Sequence, residues 1–150
     1  MPPSGERLFV LLQVRGELFA LPAEQVRAVT PVGRITRIPY APPEIRGAAG
    51  WRGKVLTLYD LGEGLGLPGH PSDGPYAIVL DPVDRDVDLG ILAEEVREIR
   101  AIPEDVLSSL RINGRRWHGV IDLDDHPVMV LDPTPLIHRL EAAVHSVTSP

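Results

Sequence analysis

Asp60 and Asp132 are the two residues whose type and spacing could support acid–base chemistry. Each ends a short apolar run, and each follows a glycine, Gly47 or Gly119, at the same distance, so the two pairs stand at a common offset of 72 residues. Two carboxylates brought to one site share a proton, which is the arrangement that aspartic hydrolases use. A small aspartic-type hydrolase that uses Asp60 and Asp132 is therefore one alternative function.

The local sequence favours a structural role for both aspartates. Asp60 precedes Leu61-Gly62-Glu63, which has the spacing of a capping box, and Asp132 precedes Pro133, a residue favoured at the first helical position. Neither aspartate is followed by the Ser-Gly or Thr-Gly of a pepsin-like loop. We interpret both as helix caps, each stabilising the fold by about 1 kcal/mol.

Other catalytic and metal-binding patterns are missing from the sequence. The chain has no Cys, which excludes disulfides, thiolate nucleophiles and Cys-ligated metals. Its five His residues do not have the spacing of zinc ligands, and Ser108 lacks the glycines of a nucleophile elbow. We therefore expect no enzyme activity, no catalytic residue, no metal and no cofactor.

Composition limits the class of partner. The formal net charge is −6 and the pI about 5.3, which opposes binding to nucleic acid. No run of eighteen apolar residues is present, so we expect no direct membrane insertion and a cytoplasmic protein. The first half is rich in arginine, which favours an acidic partner on one face: Arg15, Arg27, Arg34, Arg37, Arg46 and Arg52.

Short strands dominate the predicted secondary structure. Leu8 to Val14, Arg15-Gly16 and Glu17 to Leu21 are typical of a β-hairpin. Many short strands at close spacing favour a barrel or a sandwich. The other predicted strands are Lys54 to Tyr59, Tyr76 to Leu80, Val87 to Leu92, Val96 to Ile99, Trp117 to Leu123 and Val128 to Leu131.

Helices are expected to be few. Five prolines between residues 22 and 43 forbid a long helix in the first third. From Pro133 onward, apolar residues at helical spacing predict one C-terminal helix. The Gly- and Pro-rich stretch from Leu61 to Pro75 is the clearest break in the chain, and it divides a first lobe, mainly 8–65, from a second, mainly 75–145.

The two halves resemble each other. Residues 21–29 align with residues 91–99 at an offset of 70, and four of the nine positions are identical. The offset of 72 between the Gly and Asp pairs agrees with this alignment. We therefore predict an all-β fold of two similar lobes.

The run from Ile45 to Leu61, followed by Leu65-Gly66-Leu67, resembles the signature of CheW-like domains. Phe19-Ala20-Leu21-Pro22 and Ile38-Pro39 are similar to that family's first lobe, and Gly90-Ile91-Leu92 is similar to its second. The resemblance covers roughly Leu8 to Leu140. It implies a single domain over residues 1–150, built of two small SH3-like β-barrel lobes packed together, with short helices and the C-terminal helix.

The resemblance also implies a function and a site. CheW-like proteins are non-catalytic scaffolds that couple the cytoplasmic tip of a chemoreceptor to the regulatory domain of a CheA-type histidine kinase. The partner-binding residues that we predict are Arg52, Trp51, Gly53, Gly47 and Val26. Arg52 matches the family residue by residue, and Trp51 beside it is of a type enriched in interface hot spots, with a half-buried residue of the barrel as the alternative. Gly47 and Gly53 are expected to shape the backbone more than to contact a partner. The chain departs from the family at Gly50, where Asn is usual, and at Gly62, where Arg is usual. These departures leave open a CheW-like module that regulates a non-chemotaxis partner.

Overall fold

The chain folds into two five-stranded β-sheets with short helical turns. The computed structural model describes residues 5–71, 74–81, 88–108, 110 and 119–135. The predicted C-terminal helix falls almost wholly outside these residues. In chain order the elements are β1 (Glu6–Val14), β2 (Glu17–Pro22), a 3-10 turn (Ala23–Gln25), β3 (Val26–Pro31), β4 (Ile45–Trp51), β5 (Lys54–Tyr59), α1 (Leu61–Leu65), β6 (Tyr76–Leu80), β7 (Asp88–Ala93), β8 (Glu95–Pro103), α2 (Glu104–Ser108), β9 (Gly119–Leu123) and β10 (His126–Val130).

Strand order shows how the internal repeat is built. The first sheet has the order β8-β1-β2-β10-β9, and the second has the order β3-β6-β7-β5-β4. The two orders are equivalent when each strand is matched with the strand five places away in the chain, so that β1 corresponds to β6, β2 to β7 and β3 to β8. Each sheet also contains one parallel pair, β2 with β10 and β5 with β7, which correspond under the same matching. The repeat predicted from the sequence is therefore a repeat of five strands.

The two sheets do not divide the chain at the Gly- and Pro-rich stretch. The first sheet combines β1 and β2 with β8, β9 and β10, whereas the second is built from β3 to β7. Each five-strand repeat thus gives its first two strands to one sheet and its last three to the other. The lobes expected at 8–65 and 75–145 differ from this arrangement, because a simple cut along the chain does not allow for the exchange of strands.

Among the described residues, three apolar clusters hold the sheets together. One lies between the sheets and includes Leu12 and Phe19 from the first and Tyr59 and Ile91 from the second. The other two lie on the far faces of the sheets. The residues after β8, including Leu107 of α2, cover the first sheet, and the equivalent residues after β3 cover the second. Burial on both faces explains why β7 is buried along its whole length.

Two strands, β3 and β4, were not predicted. In β4, two glycines and two alanines give a low strand propensity, and the strand is defined by its pairing with β5. In β3, Val26-Arg27-Ala28-Val29 does not alternate strictly between apolar and polar residues, so the sequence lacks the usual pattern of a strand. The predicted hairpin and the strands Lys54–Tyr59 and Tyr76–Leu80 are confirmed, the last two at their predicted bounds.

Candidate protein-interaction site

Arg52 and Gly53 form the tip of the hairpin that joins β4 to β5. Both have positive φ, 50° and 73°, as a two-residue hairpin turn of type I′ requires. Gly53 adopts this conformation without strain, and a Cβ built there meets no neighbouring atom. The turn therefore projects the exposed Arg52 side chain from the end of the second sheet.

Trp51, the last residue of β4, lies beneath two guanidinium groups. Cζ of Arg52 is 4.8 Å from the centroid of the indole ring, and Cζ of Arg27 is 5.3 Å from it. Both distances allow cation–π attraction. Because Trp51 is only 7% exposed, it acts chiefly as a platform that orients the two arginines.

Arg27 is fixed by a second contact and by the shape of its strand. Its Nη1 lies 3.2 Å from Oδ1 of Asp88, whose side chain is 10% exposed. Val26 pairs with Leu80 and Ala28 with Val79, so Arg27 is the extra residue of a β-bulge. Arg27 lies at this bulge, and its guanidinium stacks over the ring of Trp51.

Val26 lies in a cleft of about 280 Å³ between β3 and β8, the equivalent edge strands of the two sheets. The cleft is lined by four residues from each strand, Val26-Arg27-Ala28-Val29 and Val96-Arg97-Glu98-Ile99, which are the segments aligned by the sequence repeat. Val29 is 45% exposed and Ile99 66% exposed. The cleft therefore presents apolar side chains to solvent, with Arg27 joining it to the Trp51 platform.

Gly47 is buried and offers no surface to a partner. Its φ is 147°, and a Cβ at this position would lie 2.4 Å from the carbonyl oxygen of Thr36. Thr36 forms an isolated β-bridge with the neighbouring Ala48. Gly47 thus permits the segment after β3 to pack on β4, and its expected part in partner binding can only be indirect.

Asp60 is the N-cap of α1, since its Oδ1 accepts a hydrogen bond from the Glu63 amide at 3.2 Å. Its other oxygen lies 3.0 Å from Nη2 of Arg15, and both side chains are 4% exposed. Arg15 also donates to the Leu67 carbonyl at 2.7 Å. Burial disfavours the charged guanidinium, but hydrogen bonds to Glu63 and Asp60 outweigh it and raise the pKa of Arg15.

Asp132 has different partners. Its Oδ1 accepts from the Thr134 amide at 3.0 Å and lies 3.4 Å from Nε2 of Gln25. The Thr134 hydroxyl bonds the same glutamine, at 3.2 Å. Asp60 and Asp132 are thus held by separate networks at equivalent ends of β5 and β10, and each carboxylate binds a backbone amide of the segment that follows it.

The two glycines that replace the usual family residues differ in the space around them. Gly50 is exposed, and a Cβ there meets nothing within 4 Å. Gly62 is buried, and a Cβ there would lie 2.5 Å from Nε of Arg15. Arg15 therefore occupies the space that a side chain at position 62 needs.

Comparison with known proteins decides the family. Residues 8–141 match the family model of the CheW-like domain. The chain belongs to the CheW-like family. This domain is 27% identical over 106 residues to the chemotaxis protein CheW of Bacillus subtilis (strain 168), covering 71% of this chain and 67% of that protein. It is 32% identical over 98 residues to protein FrzA of Myxococcus xanthus, covering 65% of this chain and 61% of FrzA.

The CheW-like fold is also found among solved structures. The crystal structure of the scaffolding protein TtCheW from Thermoanaerobacter tengcongensis superposes with a TM-score of 0.70 at 22% identity, over 85% of this chain and 90% of that one. The predicted fold class, all-β with two similar lobes, is confirmed.

Membership of the CheW-like family also fixes the functional class. The family consists of non-catalytic scaffold proteins of chemotaxis signalling, and this chain is not an enzyme. The alternative of a hydrolase using Asp60 and Asp132 is wrong. Among the described residues, no helix is long and apolar enough to cross a membrane. Within the same part of the chain, no three His, Asp or Glu side chains are grouped as metal ligands would be.

Sequence reasoning missed several residues of this CheW-like site. Arg27 was counted among the arginines that favour an acidic partner but was not predicted as a site residue, although its place between Val26 and Ala28 in the repeated segment could have marked it. Val29 and Ile99 are also at matching positions of the repeat, but only the structure shows that both remain exposed. No sequence signal placed Arg15 above Gly62, because the two residues come together only through the packing of the sheets.

Proposed function

We propose that this CheW-like protein couples the cytoplasmic tip of a chemoreceptor to the regulatory domain of a CheA-type histidine kinase, in the cytoplasm. The observation that carries the proposal is the cleft between β3 and β8, with its exposed Val29 and Ile99. Edge strands of water-soluble sheets are usually protected by charge or cover. Apolar side chains kept exposed along such an edge indicate a docking surface.

The receptor tip is the partner that the cleft fits. A helical segment binds a groove by laying one apolar face into it. Arg27, at the side of the cleft, and Arg52, which shares the Trp51 platform, would then meet acidic side chains of the receptor. In this arrangement Val26 lines the groove, Trp51 orients the arginines, Gly53 shapes the turn and Gly47 places the segment beside it.

A charge placed in the cleft tests the proposal. Ile99→Glu should weaken binding of a soluble receptor-tip fragment by about 2 kcal/mol or more in a calorimetric titration, because it puts a charge where apolar contact is made. Val120→Glu is the matched control: Val120 is 56% exposed, but it lies on β9, outside the cleft. Equal binding of the two variants and the parent would assign the cleft no part in receptor binding.

A CheW-like module serving a different pathway remains the second candidate. The open position at Gly50, where the family usually has Asn, favours it, because an exposed contact residue is missing there. This candidate predicts that the receptor-tip fragment of a chemotaxis system fails to bind the parent protein at all.

A further inference from the structure

The cleft between β3 and β8 has two walls of nearly the same composition. Each wall presents two apolar residues and one arginine at positions that the repeat offset of 70 relates. Both arginines are paired with a carboxylate, that of Asp88 at 3.2 Å and that of Glu95 at 3.7 Å. An apolar face of a receptor helix therefore makes similar contacts in two orientations that differ by exchange of the walls, and apolar contact, which is not directional, does not select one of them. The equivalent wall residues are Val26 with Val96, Arg27 with Arg97 and Val29 with Ile99.

Two equivalent hairpin turns differ in charge. Arg52-Gly53, between β4 and β5, and Asp124-Asp125, between β9 and β10, are related by the offset of 72. All four residues have positive φ, 50° and 73° in the first turn and 52° and 64° in the second. The backbone of the turn is therefore repeated, whereas its first residue is a cation in one copy and an anion in the other.

On the β3 wall, the turn residue is a cation without a counter-charge. Arg27 lines the cleft, and its guanidinium lies over the ring of Trp51, as that of Arg52 does. Asp88 already balances the charge of Arg27. Within the part of the chain that the structure describes, no carboxylate lies within ion-pair distance of Arg52. This side of the cleft therefore presents the positive charge of Arg52 to a partner.

On the β8 wall, the equivalent turn residue is an anion. Glu98 lines the cleft, and its Oε1 is 2.6 Å from Nη2 of Arg100, which also lies 2.7 Å from Oδ2 of Asp124. One guanidinium is thus shared by two carboxylates, and the turn adds the exposed Asp125. The position of the β3 wall that is equivalent to Glu98 holds Ala28, which is uncharged. This side of the cleft therefore carries net negative charge.

We infer that the opposite charges of Arg52 and Asp124 select one of the two orientations in which a receptor helix can occupy the cleft. This inference rests on the proposed coupling function and adds the chemistry of the partner, a helix whose apolar stripe is flanked by acidic residues on one side of the complex. Those residues face Arg52, because the other orientation would bring them to Asp124, and like charges across an interface repel. The apolar walls supply the buried area, and the charges of the two turns supply the specificity.

The test measures the orientation of the receptor-tip fragment on the full chain. The chain has no cysteine, so a nitroxide label can be attached at one introduced residue, Gly50→Cys on β4 or Val120→Cys on β9. Both positions are exposed, and the two strands end at the two turns. In NMR spectra of the isotope-labelled fragment, each label broadens the resonances of the residues nearest to it. The label on β4 should broaden the acidic residues of the fragment and the label on β9 a different set, with one orientation at least about ten times as populated as the other.

Exchanging the two turn residues should exchange the two patterns of broadening. Arg52→Asp together with Asp124→Arg leaves the net charge unchanged, and each turn receives a residue type that the equivalent turn already holds at positive φ. Either substitution alone gives both turns the same sign, so the fragment should then bind in both orientations and each label should broaden both sets. Thermal unfolding of each variant checks that the fold is kept.

A matched exchange outside the turns is the control. Lys54→Asp together with Asp122→Lys exchanges the same charges on the same two hairpins and should leave the parent's patterns in place. If the exchange of Arg52 and Asp124 leaves the patterns as in the parent, or the control reverses them too, selection by the turn residues is overturned while the coupling function stands. If the fragment does not bind the parent at all, the coupling function is overturned as well.

Discussion

Arg15 and Asp60 form a buried ion pair across the two sheets, with 3.0 Å between Nη2 and Oδ2 and only 4% of each side chain exposed. Arg15 belongs to the turn between β1 and β2 of the first sheet, and Asp60 follows β5 of the second. The hydrogen bonds that Arg15 donates to Asp60, Glu63 and the Leu67 carbonyl connect the first sheet to α1. The pair therefore contributes to the packing of the first sheet against α1 of the second.

Removing Arg15 should destabilise the protein strongly. Arg15→Met leaves the Asp60 carboxylate buried without its counter-charge, and breaking a buried pair in this way lowers the free energy of unfolding by about 3–5 kcal/mol. Urea denaturation measures the change. Arg7→Met is the control, because Arg7 pairs with Glu24 at the surface, where an ion pair contributes about 0–1 kcal/mol. Equal losses in the two variants would contradict this account of Arg15.

Gly62 should not tolerate a side chain while Arg15 is present. Gly62→Ala places a Cβ 2.5 Å from Nε and 2.6 Å from Cδ of Arg15, whose guanidinium is held by three acceptors. We expect a loss of about 1–3 kcal/mol in the free energy of unfolding, as for overpacking. Gly50→Ala, in open space, should change it by less than about 0.5 kcal/mol.

The same experiment in an Arg15→Ala background isolates the contact. There the atoms that crowd position 62 are gone, so the loss caused by Gly62→Ala should shrink, and the two substitutions should be strongly coupled. If the two losses in the free energy of unfolding simply add, contact with Arg15 is not the reason that Gly62→Ala destabilises the protein. Arginine at 62, the usual family residue, would have to displace Arg15, and we expect it to destabilise the sheets.

The ion pair between Asp124 and Arg100 should lower the pKa of the Asp124 carboxyl. Its hydrogen bond to Arg100, 2.7 Å long, and the charge of that arginine hold the pKa of the Asp124 carboxyl below its ordinary value of 3.8. A lowered folded-state pKa means that the stabilisation is present above the unfolded value and is lost as the pH falls through the folded one. An NMR titration should show the Asp124 carboxyl titrating below 3.8 in the parent and moving back toward 3.8 in Arg100→Met. Identical titrations in both would refute the pairing.

Substitution of Arg52 tests whether positive charge on this chain contributes to receptor binding. Arg52→Ala should weaken receptor-tip binding by about 2 kcal/mol, as expected of an interface hot spot. Loss of its contact with Trp51 should reduce stability by less than about 1 kcal/mol. Lys54→Ala removes a positive charge from the same hairpin and should affect binding less, since lysine offers no planar fork. If the two variants bind alike, charge alone explains the effect.

The fold and the site differ in how far the sequence predicts them. Two apolar runs on either side of Arg15-Gly16 suffice for the first hairpin, and the repeat at offsets of 70 and 72 reveals two similar units. The exchange of strands between sheets could not be predicted, because β1 pairs both with its neighbour β2 and with the distant β8. Local propensity does not specify such long-range pairing.

The site shows the same limit at the level of single residues. Arg52 and Gly53 follow from the resemblance to CheW-like domains and from the needs of a two-residue turn. The stacking of Arg27 on Trp51 joins β3 and β4, which lie at opposite edges of the second sheet, so it could not be predicted from local sequence.

A sequential titration measures most directly whether one chain holds the receptor and the kinase at the same time. The protein is first saturated with the regulatory domain of the CheA-type kinase, and the receptor-tip fragment is then titrated in, with calorimetry and light scattering recording the complex. We predict that the fragment binds with an affinity within a few-fold of that for the free protein, forming a complex of one copy of each. Displacement of the kinase domain by the fragment would contradict the account.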